Sequence, residues 1–355
     1  MTVSEKIVVL GAGFLGVNAA LDLVNAGKQV TIIDETLKHQ YIPGTVDIIR
    51  NRFQREELEI NLEEFLPEQI ELKEATVKDV RPDEKTVETR NGLIGYDKLV
   101  TGLGGAPENF GIDISPAEHA WGIKPAQKLS KKAENAEKAV IVGAGYVGIE
   151  VAGELTEKEV ETTLVEANTR PMSYLDQKSS EKMLEILHNK DIKFKGGKQV
   201  SEVAEGSVTF TDGGEEAADL IVWAAGVKAS ETVKQIFSTG RKGIEVNQGL
   251  SAIGYNDIFA GGDCVDVSGQ KTAHKAMKQG EVIAENIVSN SEPLNQVESE
   301  QNFLIVSIGD KAGLIFQNKL VFSANFLRHF KDLVKTYYFT RLKIKKKLFN
   351  ADFLP

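Results

Sequence analysis

The chain has 355 residues, a formal net charge of −10, 41% hydrophobic residues and one cysteine. That length suggests two or three domains, each large enough for its own core, and the hydrophobic share excludes a disordered chain. The acidic balance argues against nucleic-acid binding, and the lone Cys264 excludes an internal disulfide or a cysteine-based metal cluster, which fits a reducing compartment.

Met1 to Lys6 leads into the first apolar run without a basic and apolar leader, and no uninterrupted apolar run of about 18 residues follows. The expectation is a cytoplasmic chain with no segment that spans a bilayer. Ile7 to Leu10 reads as a buried strand, Gly11-Ala12-Gly13-Phe14-Leu15-Gly16 as a glycine turn, Val17 to Ala26 as a helix, and Gln29 to Ile33 as a second strand closed by Asp34-Glu35. In that order G-x-G-x-x-G carries a mechanism. The first glycine makes the tight turn, the second lets a pyrophosphate approach the backbone, and the third lets helix pack on strand. The phosphates sit on unpaired N–H groups at the helix N-terminus. Asp34 stands 23 residues after Gly11, near the roughly 20 expected before an acid that binds a ribose hydroxyl.

Lys38 to Gly44 reads as a loop over the strand ends, with a helical stretch from about Thr45 to Arg52. Tyr41 and Pro43 are candidates to face a cofactor; a surface loop with one buried aromatic explains them equally well. From Ile70 to Val100 the period changes to two, with an Asn91-Gly92 turn, and predicts a small antiparallel insertion. Leu99 to Gly104 is a buried strand that ends in glycines, and Pro107, Gly111 and Pro116 mark a crossing.

The opening unit then repeats. Ala139 to Val142, Gly143-Ala144-Gly145-Tyr146-Val147-Gly148, a helix from Ile149, and Glu161 to Glu166 form strand, turn, helix, strand and acid, again with 23 residues from Gly143 to Glu166. Two units predict two dinucleotide sites. A carboxylate at Glu166 accepts from a ribose 2′-OH and repels a 2′-phosphate, which favours NAD over NADP. Ser179 to Asn189 reads as a helix, Lys193 to Phe210 as alternating strands, and Leu220 to Gly226 as a buried strand that echoes Leu99 to Gly104. Gly261-Gly262-Asp263 at a strand end precedes Ala273 to Gly280 and a helix to about Ser289.

This ordered set resembles the two-dinucleotide flavoprotein superfamily and, within it, the type II NADH dehydrogenases, which are single-subunit NADH:quinone oxidoreductases. The resemblance covers roughly Lys6 to Gly313 and rests on Gly11, Gly13, Gly16 and Asp34, on Thr101-Gly102-Leu103-Gly104, and on Gly143, Gly145, Gly148, Glu150 and Glu166. It also rests on Trp223-Ala224-Ala225-Gly226-Val227, Gly262-Asp263, and Ala273 to Gly280.

The resemblance implies an α/β fold of two Rossmann-like domains. An FAD-binding domain (1–110 and 241–295) is split around an inserted NAD(H)-binding domain (111–240), and 296–355 form a C-terminal membrane or interface segment. It implies FAD on the first unit, with Glu35 and Pro43 beside Asp34, and NADH on the second, with Ala225 and Gly226. Hydride would pass from NADH to FAD, and two electrons then to a membrane quinone, without proton pumping.

His274 stands where such proteins carry a glutamine near the quinone pocket, whereas Gln279 is kept. His274 is open to two readings, proton relay or hydrogen bond to backbone. Glu150, in the first turn of its helix, is placed by the resemblance near nicotinamide and flavin, but is also an ordinary helix-favouring choice. One cysteine leaves neither a disulfide reductase nor a sulfide:quinone reductase within reach.

From Phe326 on, Phe326, Leu327, Phe330, Leu333, Val334, Tyr337 and Tyr338 share one helical face, with Arg328, Lys331 and Lys335 off it and Arg341, Lys343, Lys345, Lys346 and Lys347 beyond. The expectation is a basic helix lying on an anionic membrane, peripheral on the inner face of the cell membrane. Packing on the chain's own body or on a homodimer partner is the other reading. Two further functions stay open: a soluble NADH-dependent flavoprotein reductase, and a non-catalytic flavin-binding sensor.

Overall fold

A computed structural model describes residues 5–237, 240, 243–267, 269–289 and 303–352, without the side chains of 303, 345 and 347–352. The expected boundary at 295–296 and the side chains of Lys345 and Lys347 lie outside the described residues.

Five parallel strands form the first sheet, in the order Ile258–Ala260, Lys98–Thr101, Lys6–Leu10, Gln29–Asp34 and Ile70–Glu74. Val9, Leu10, Val30, Ile32 and Val100 are wholly buried in it, the signature of strands covered on both faces. Helix Phe14–Asn25 covers one face and packs against helix Ala273–Ser289, where the absent Cβ of Gly280 lets the Leu15 carbonyl come close. Gly280, 265 positions after Leu15, therefore completes the first unit, which is split in sequence.

The second sheet, Lys193–Gly196, Glu161–Glu166, Lys138–Val142 and Leu220–Trp223, is also parallel. Helix Tyr146–Thr156 follows its glycine turn. The chain crosses between the units on Gly105–Pro107 and returns on Val227–Ala229, and these two short strands pair antiparallel. A Cβ on Gly105 would lie 2.6 Å from the Lys228 carbonyl oxygen, so only glycine permits this ribbon.

Two expectations need correction, and one element was not anticipated. Ile70–Glu74 is the edge strand of the parallel sheet, paired with Gln29–Asp34, and the antiparallel insertion is confined to Val77–Arg81, Thr86–Thr89 and Gly92–Gly95. Its alternation arises because an edge strand exposes one face more than the other. The stretch from Thr45 is instead part of a 3₁₀ helix, Ile42–Ile48, with Pro43 in its first turn. Before the C-terminal helix, Asn325–Asp352, comes an antiparallel meander that sequence reasoning did not find: Phe303–Ile308, Lys311–Phe316 and Lys319–Ala324.

Candidate active site

Both glycine turns obey the same steric logic. Gly11 and Gly143 have φ of +90° and +102°, and a Cβ on either would lie 2.5 or 2.6 Å from a carbonyl oxygen of the neighbouring strand end, Gly102 or Ala224. On Gly16 and Gly148 a Cβ would meet the carbonyl of Gly11 at 2.0 Å and of Gly143 at 1.9 Å. Gly13 and Gly145, by contrast, have nothing within 4 Å of that position. That is the shape a pyrophosphate requires: tight at the first and third glycines, open at the second. Neither helix has a side-chain N-cap, so the first-turn amides face the opening as donors.

The acids behave alike too. Asp34 Oδ2 accepts from the Ala12 amide at 2.9 Å and Oδ1 from the Thr36 amide; Glu166 Oε2 accepts from the Ala144 amide at 2.8 Å and Oε1 from the Asn168 amide. Each acid thus braces its own glycine turn while standing at the end of the strand that a ribose would reach. Glu35 is exposed beside Asp34, and Pro43 is half-buried in the 3₁₀ helix. Gly104 and Gly226, each just past the strand end that abuts a glycine turn, take φ of +70° and +117°.

The second unit opens on a cleft of about 680 Å³ lined by Gly145, Tyr146, Glu166, Tyr174, Ala225 and Gly226, a size that suits a nucleotide. Tyr146 also marks the junction of the two units. Its hydroxyl donates to the Lys271 carbonyl at 2.8 Å, and burial first, then the charges of Asp263 and Glu150, raise its pKa. Asp263 follows Gly262, whose φ is +70°, and burial raises the Asp263 carboxyl above the ordinary range. Gln279 is buried, and its Oε1 accepts from the Gly262 amide at 2.7 Å, fixing that turn. Thr101 is buried beside it, its carbonyl accepting from the Gly261 amide. Ala273 starts the following helix, and His274 is exposed in its first turn.

Glu150 points away from solvent toward the C-terminal part of the chain. Its Oε1 accepts from the Ser307 amide and hydroxyl, both at 3.0 Å, and from Lys331 Nζ at 2.5 Å. Burial first and the Glu150 charge second push Tyr41 up to about 12. Glu150 therefore lies within electrostatic reach of Tyr41 on one unit and of Tyr146 and Tyr174 on the other. Sequence reasoning missed Lys331 and Ser307 as its partners, since no local pattern links positions 157 and 181 residues apart.

The C-terminal helix corrects the expected placement of its cations. Arg328 pairs with Asp47, both wholly buried; Lys331 pairs with Glu150; Lys335 pairs with Glu57 and sits 3.6 Å above the Phe53 ring; Lys346 donates to the Glu63 carbonyl. These charges face the body and are not free for lipid headgroups. Tyr338 is buried among Phe14, His39 and Tyr41, and its hydroxyl lies 2.9 Å from His39 Nε2. His39 Nδ1 is 2.8 Å from the Ala12 carbonyl, so Nδ1 carries the proton and Nε2 accepts from Tyr338. The apolar face is divided: Leu327 and Tyr338 are buried against the body, whereas Phe326, Phe330, Leu333 and Tyr337 turn outward, 62%, 46%, 63% and 68% exposed.

Two dinucleotide cradles that meet at one junction, with an open cleft on one of them, define an oxidoreductase scaffold of the doubled Rossmann class. The chain belongs to the pyridine nucleotide-disulphide oxidoreductase family, whose model matches residues 5–280. It is 28% identical over 366 residues to the type II NADH:quinone oxidoreductase of Staphylococcus aureus (strain MSSA476), covering 89% of this chain and 91% of the relative. Among solved structures it is similar to the sulfide:quinone oxidoreductase of Aquifex aeolicus, with a TM-score of 0.87, 18% identity and coverage of 96% and 92%. NDH2 of Plasmodium falciparum in complex with NADH gives a TM-score of 0.84, 15% identity and coverage of 97% and 98%. At those identities the solved structures establish the fold.

Proposed function

We propose that the chain is an FAD-dependent NADH:quinone oxidoreductase that works without proton pumping, as a peripheral enzyme on the cytoplasmic face of the membrane. The observation that carries this reading is the junction at Tyr146, which lines the nucleotide cleft and lies within electrostatic reach of Asp263 and of Glu150, the partner of Lys331. On this reading the FAD part is 1–110 with 241–295, the NADH part 111–240 and the membrane part 296–355.

Gly11, Gly13 and Gly16 would take the FAD pyrophosphate, Asp34 the adenosine ribose with Glu35 and Pro43 nearby, and Asp263 the ribityl chain. Thr101, Gly102, Gly104, Gly262 and Ala273 would line its path. Gly143, Gly145 and Gly148 would take the NADH pyrophosphate, Glu166 its ribose, and Ala225 with Gly226 the cleft wall. Bound FAD supplies the two-electron chemistry between pyridine nucleotide and acceptor.

The chain's own residues orient and protonate. Gln279 holds the Gly262 amide and so acts as a positioning residue. Lys331 offers a cation to stabilise the charge that grows on an acceptor's carbonyl oxygens, and the buried Glu150 carboxylate holds that cation in place. His274 could exchange a proton at the surface end of its helix. Cys264 takes no part, because burial pushes its thiol up to about 12 and the reactive thiolate is not formed.

Membrane docking follows from the outward apolar face. Phe326, Phe330, Leu333 and Tyr337 form one stripe, extended by Phe322 on the neighbouring hairpin, with the Phe322 and Phe326 rings 6.0 Å apart. A stripe of this kind is buried by lying in the bilayer interface. Arg341 and Lys343, exposed on the same helix, are the described cations left to meet anionic headgroups. Among the described residues no helix is long and apolar enough to cross a membrane.

The test is an anaerobic titration of the purified protein with NADH followed by a short-chain quinone. Flavin bleaching on NADH and recovery on quinone is the expected result; bleaching without recovery would remove the quinone assignment. In vesicle flotation, Phe330→Asp with Leu333→Asp should release the protein from anionic vesicles, whereas Lys335→Ala should release it little.

A further inference from the structure

Glu150 is the first of three carboxylates on one stripe of helix Tyr146–Thr156 and its end. Glu154 follows at i+4 and Glu157 at i+7, positions that stack on a helix about 5–6 Å apart at their roots. The middle one is the most buried, and exposure rises from it toward the helix end. The side chain of Glu150 is 7% exposed, that of Glu154 0% and that of Glu157 20%, and Asp310, whose amide donates to Glu157, is 56% exposed.

Two glycines make this approach possible. A Cβ on Gly153 would lie 2.3 Å from the Gly309 amide nitrogen, and one on Gly309 would lie 2.3 Å from Glu157 Oε1, so the turn of the C-terminal meander rests directly on the helix.

Glu154 is the unusual member. Neither carboxylate oxygen has a hydrogen-bond partner among the described residues. Arg52 Nε and Arg50 Nε stand 3.6 and 3.8 Å from Oε2, beyond hydrogen-bond reach. Burial raises its pKa to about 7, against the lowering effects of Arg52, Arg50 and Lys331, and Glu150 adds to the rise. The groups that face it are thus Arg50 and Arg52 from the segment after the 3₁₀ helix, Lys331 from the C-terminal helix, and Glu150 on its own helix. Asp310 from the meander turn, and Glu157 with its partner Lys190, complete the outer end.

Reduction of a quinone by NADH needs one proton more than NADH carries. The hydride brings two electrons and one proton, so NADH, quinone and one solvent proton give NAD⁺ and quinol. We propose that Glu154 is the proton-relay residue for this step, taking the solvent proton from the Asp310–Glu157 mouth and passing it to the Glu150–Lys331 pair. It acts through Glu150 and is a positioning residue, not a catalytic one. The proposal rests on the quinone-reductase reading above.

The experiment uses the FAD-loaded protein in stopped flow, with NADH and then a short-chain quinone, from below to above neutral pH. In Glu154→Gln, flavin bleaching by NADH should be unchanged and quinone reduction slowed about tenfold or more, with the pH step near 7 flattened. Glu154→Asp should restore part of the rate, and Asp310→Asn, at the exposed mouth, should slow the same half-reaction less. Infrared difference spectra across neutral pH give a second readout. A protonated buried carboxyl band that fades as pH rises should be present in the wild type and missing in Glu154→Gln.

Full quinone reduction with an unchanged pH profile in Glu154→Gln overturns the relay alone, as does equal slowing of both half-reactions. A wild type that bleaches with NADH but reduces no quinone overturns the functional reading, and the relay with it. Should Glu154→Gln not fold, the infrared band in the wild type and the pH profile of Asp310→Asn decide: no fading band or no slowing overturns the relay.

Discussion

The two glycine units are built alike and finished differently. Gly11 against Gly102 and Gly143 against Ala224 leave the same clearances, and Asp34 and Glu166 hold the same loop amide. They part at the residue after the second glycine. Phe14 is buried under Tyr338, His39 and Tyr41, so the far end of the chain is fastened onto the first loop. Tyr146 instead lines the cleft and ties the second loop to Lys271. A cofactor that stays needs a loop braced from behind by packed rings. A nucleotide that comes and goes needs a loop beside open space.

The strongest way to break this comparison is to add one methyl group to each unit. Gly16→Ala and Gly148→Ala each force a Cβ into a carbonyl oxygen at about 2 Å, so the helix must move off its strand. Gly16→Ala should yield a protein that loses flavin on gel filtration and unfolds at lower temperature. Gly148→Ala should keep its flavin spectrum but require roughly 100-fold more NADH for half-maximal bleaching, the effect of a displacement of about an ångström. Equal flavin loss in both would mean that the two loops do not divide the work.

Lys331→Met separates the units by another route, because the C-terminal helix holds the first through Tyr338 and the second through Lys331. Removing the cation leaves the Glu150 carboxylate buried with only the Ser307 amide and hydroxyl, which should cost about 3–5 kcal/mol, read as a lower denaturant midpoint. Flavin retention should change little if the Tyr338 contact is independent.

What could be read from the sequence and what could not follows the same division. The glycine turns were legible because each constraint sits within a few residues: a strand, three glycines and an acid 23 positions on. The C-terminal helix was legible as amphipathic but its orientation was not. The usual rule turns apolar residues inward, yet here Arg328, Lys331 and Lys335 turn inward because Asp47, Glu150 and Glu57 wait there, contributed by distant parts of the chain. The sequence cannot display that pairing, since each partner alone looks like a solvated charge. Ile70–Glu74 was misread for a related reason: its period of two is that of any half-exposed strand, and only its neighbour tells a parallel edge from a hairpin.

A smaller effect tests the acids. Glu166→Ala removes the acceptor for the Ala144 amide and the candidate ribose contact, so the NADH concentration for half-maximal rate should rise about tenfold with the turnover number unchanged. Discrimination against NADPH should fall in the same variant, because the charge that repels a 2′-phosphate is gone. If Asp34→Ala gave the same rise in NADH requirement and kept its flavin, the assignment of the two units would be reversed.

The smallest expected effect concerns the brace on the first loop. Tyr338→Phe keeps the ring packing and removes one hydroxyl, leaving His39 Nε2 buried without its donor, a loss of about 1 kcal/mol. The pH dependence gives the sharper reading. Burial holds His39 down to about 4, against the raising effects of the Ala12 carbonyl and Asp34, while an unfolded histidine titrates near 6.5. The unfolded chain therefore takes up a proton that the folded one refuses. The stabilisation is whole above about 6.5 and is lost as pH falls toward 4. Denaturation midpoints measured at neutral pH and near pH 4.5 should differ in the wild type, and His39→Asn should remove part of that difference. Because His39 joins Tyr338 to the Ala12 carbonyl, the same acid window should loosen flavin binding before it touches the nucleotide cleft. If NADH binding failed first on acidification, the brace would belong to the other unit and the contrast between Phe14 and Tyr146 would not hold.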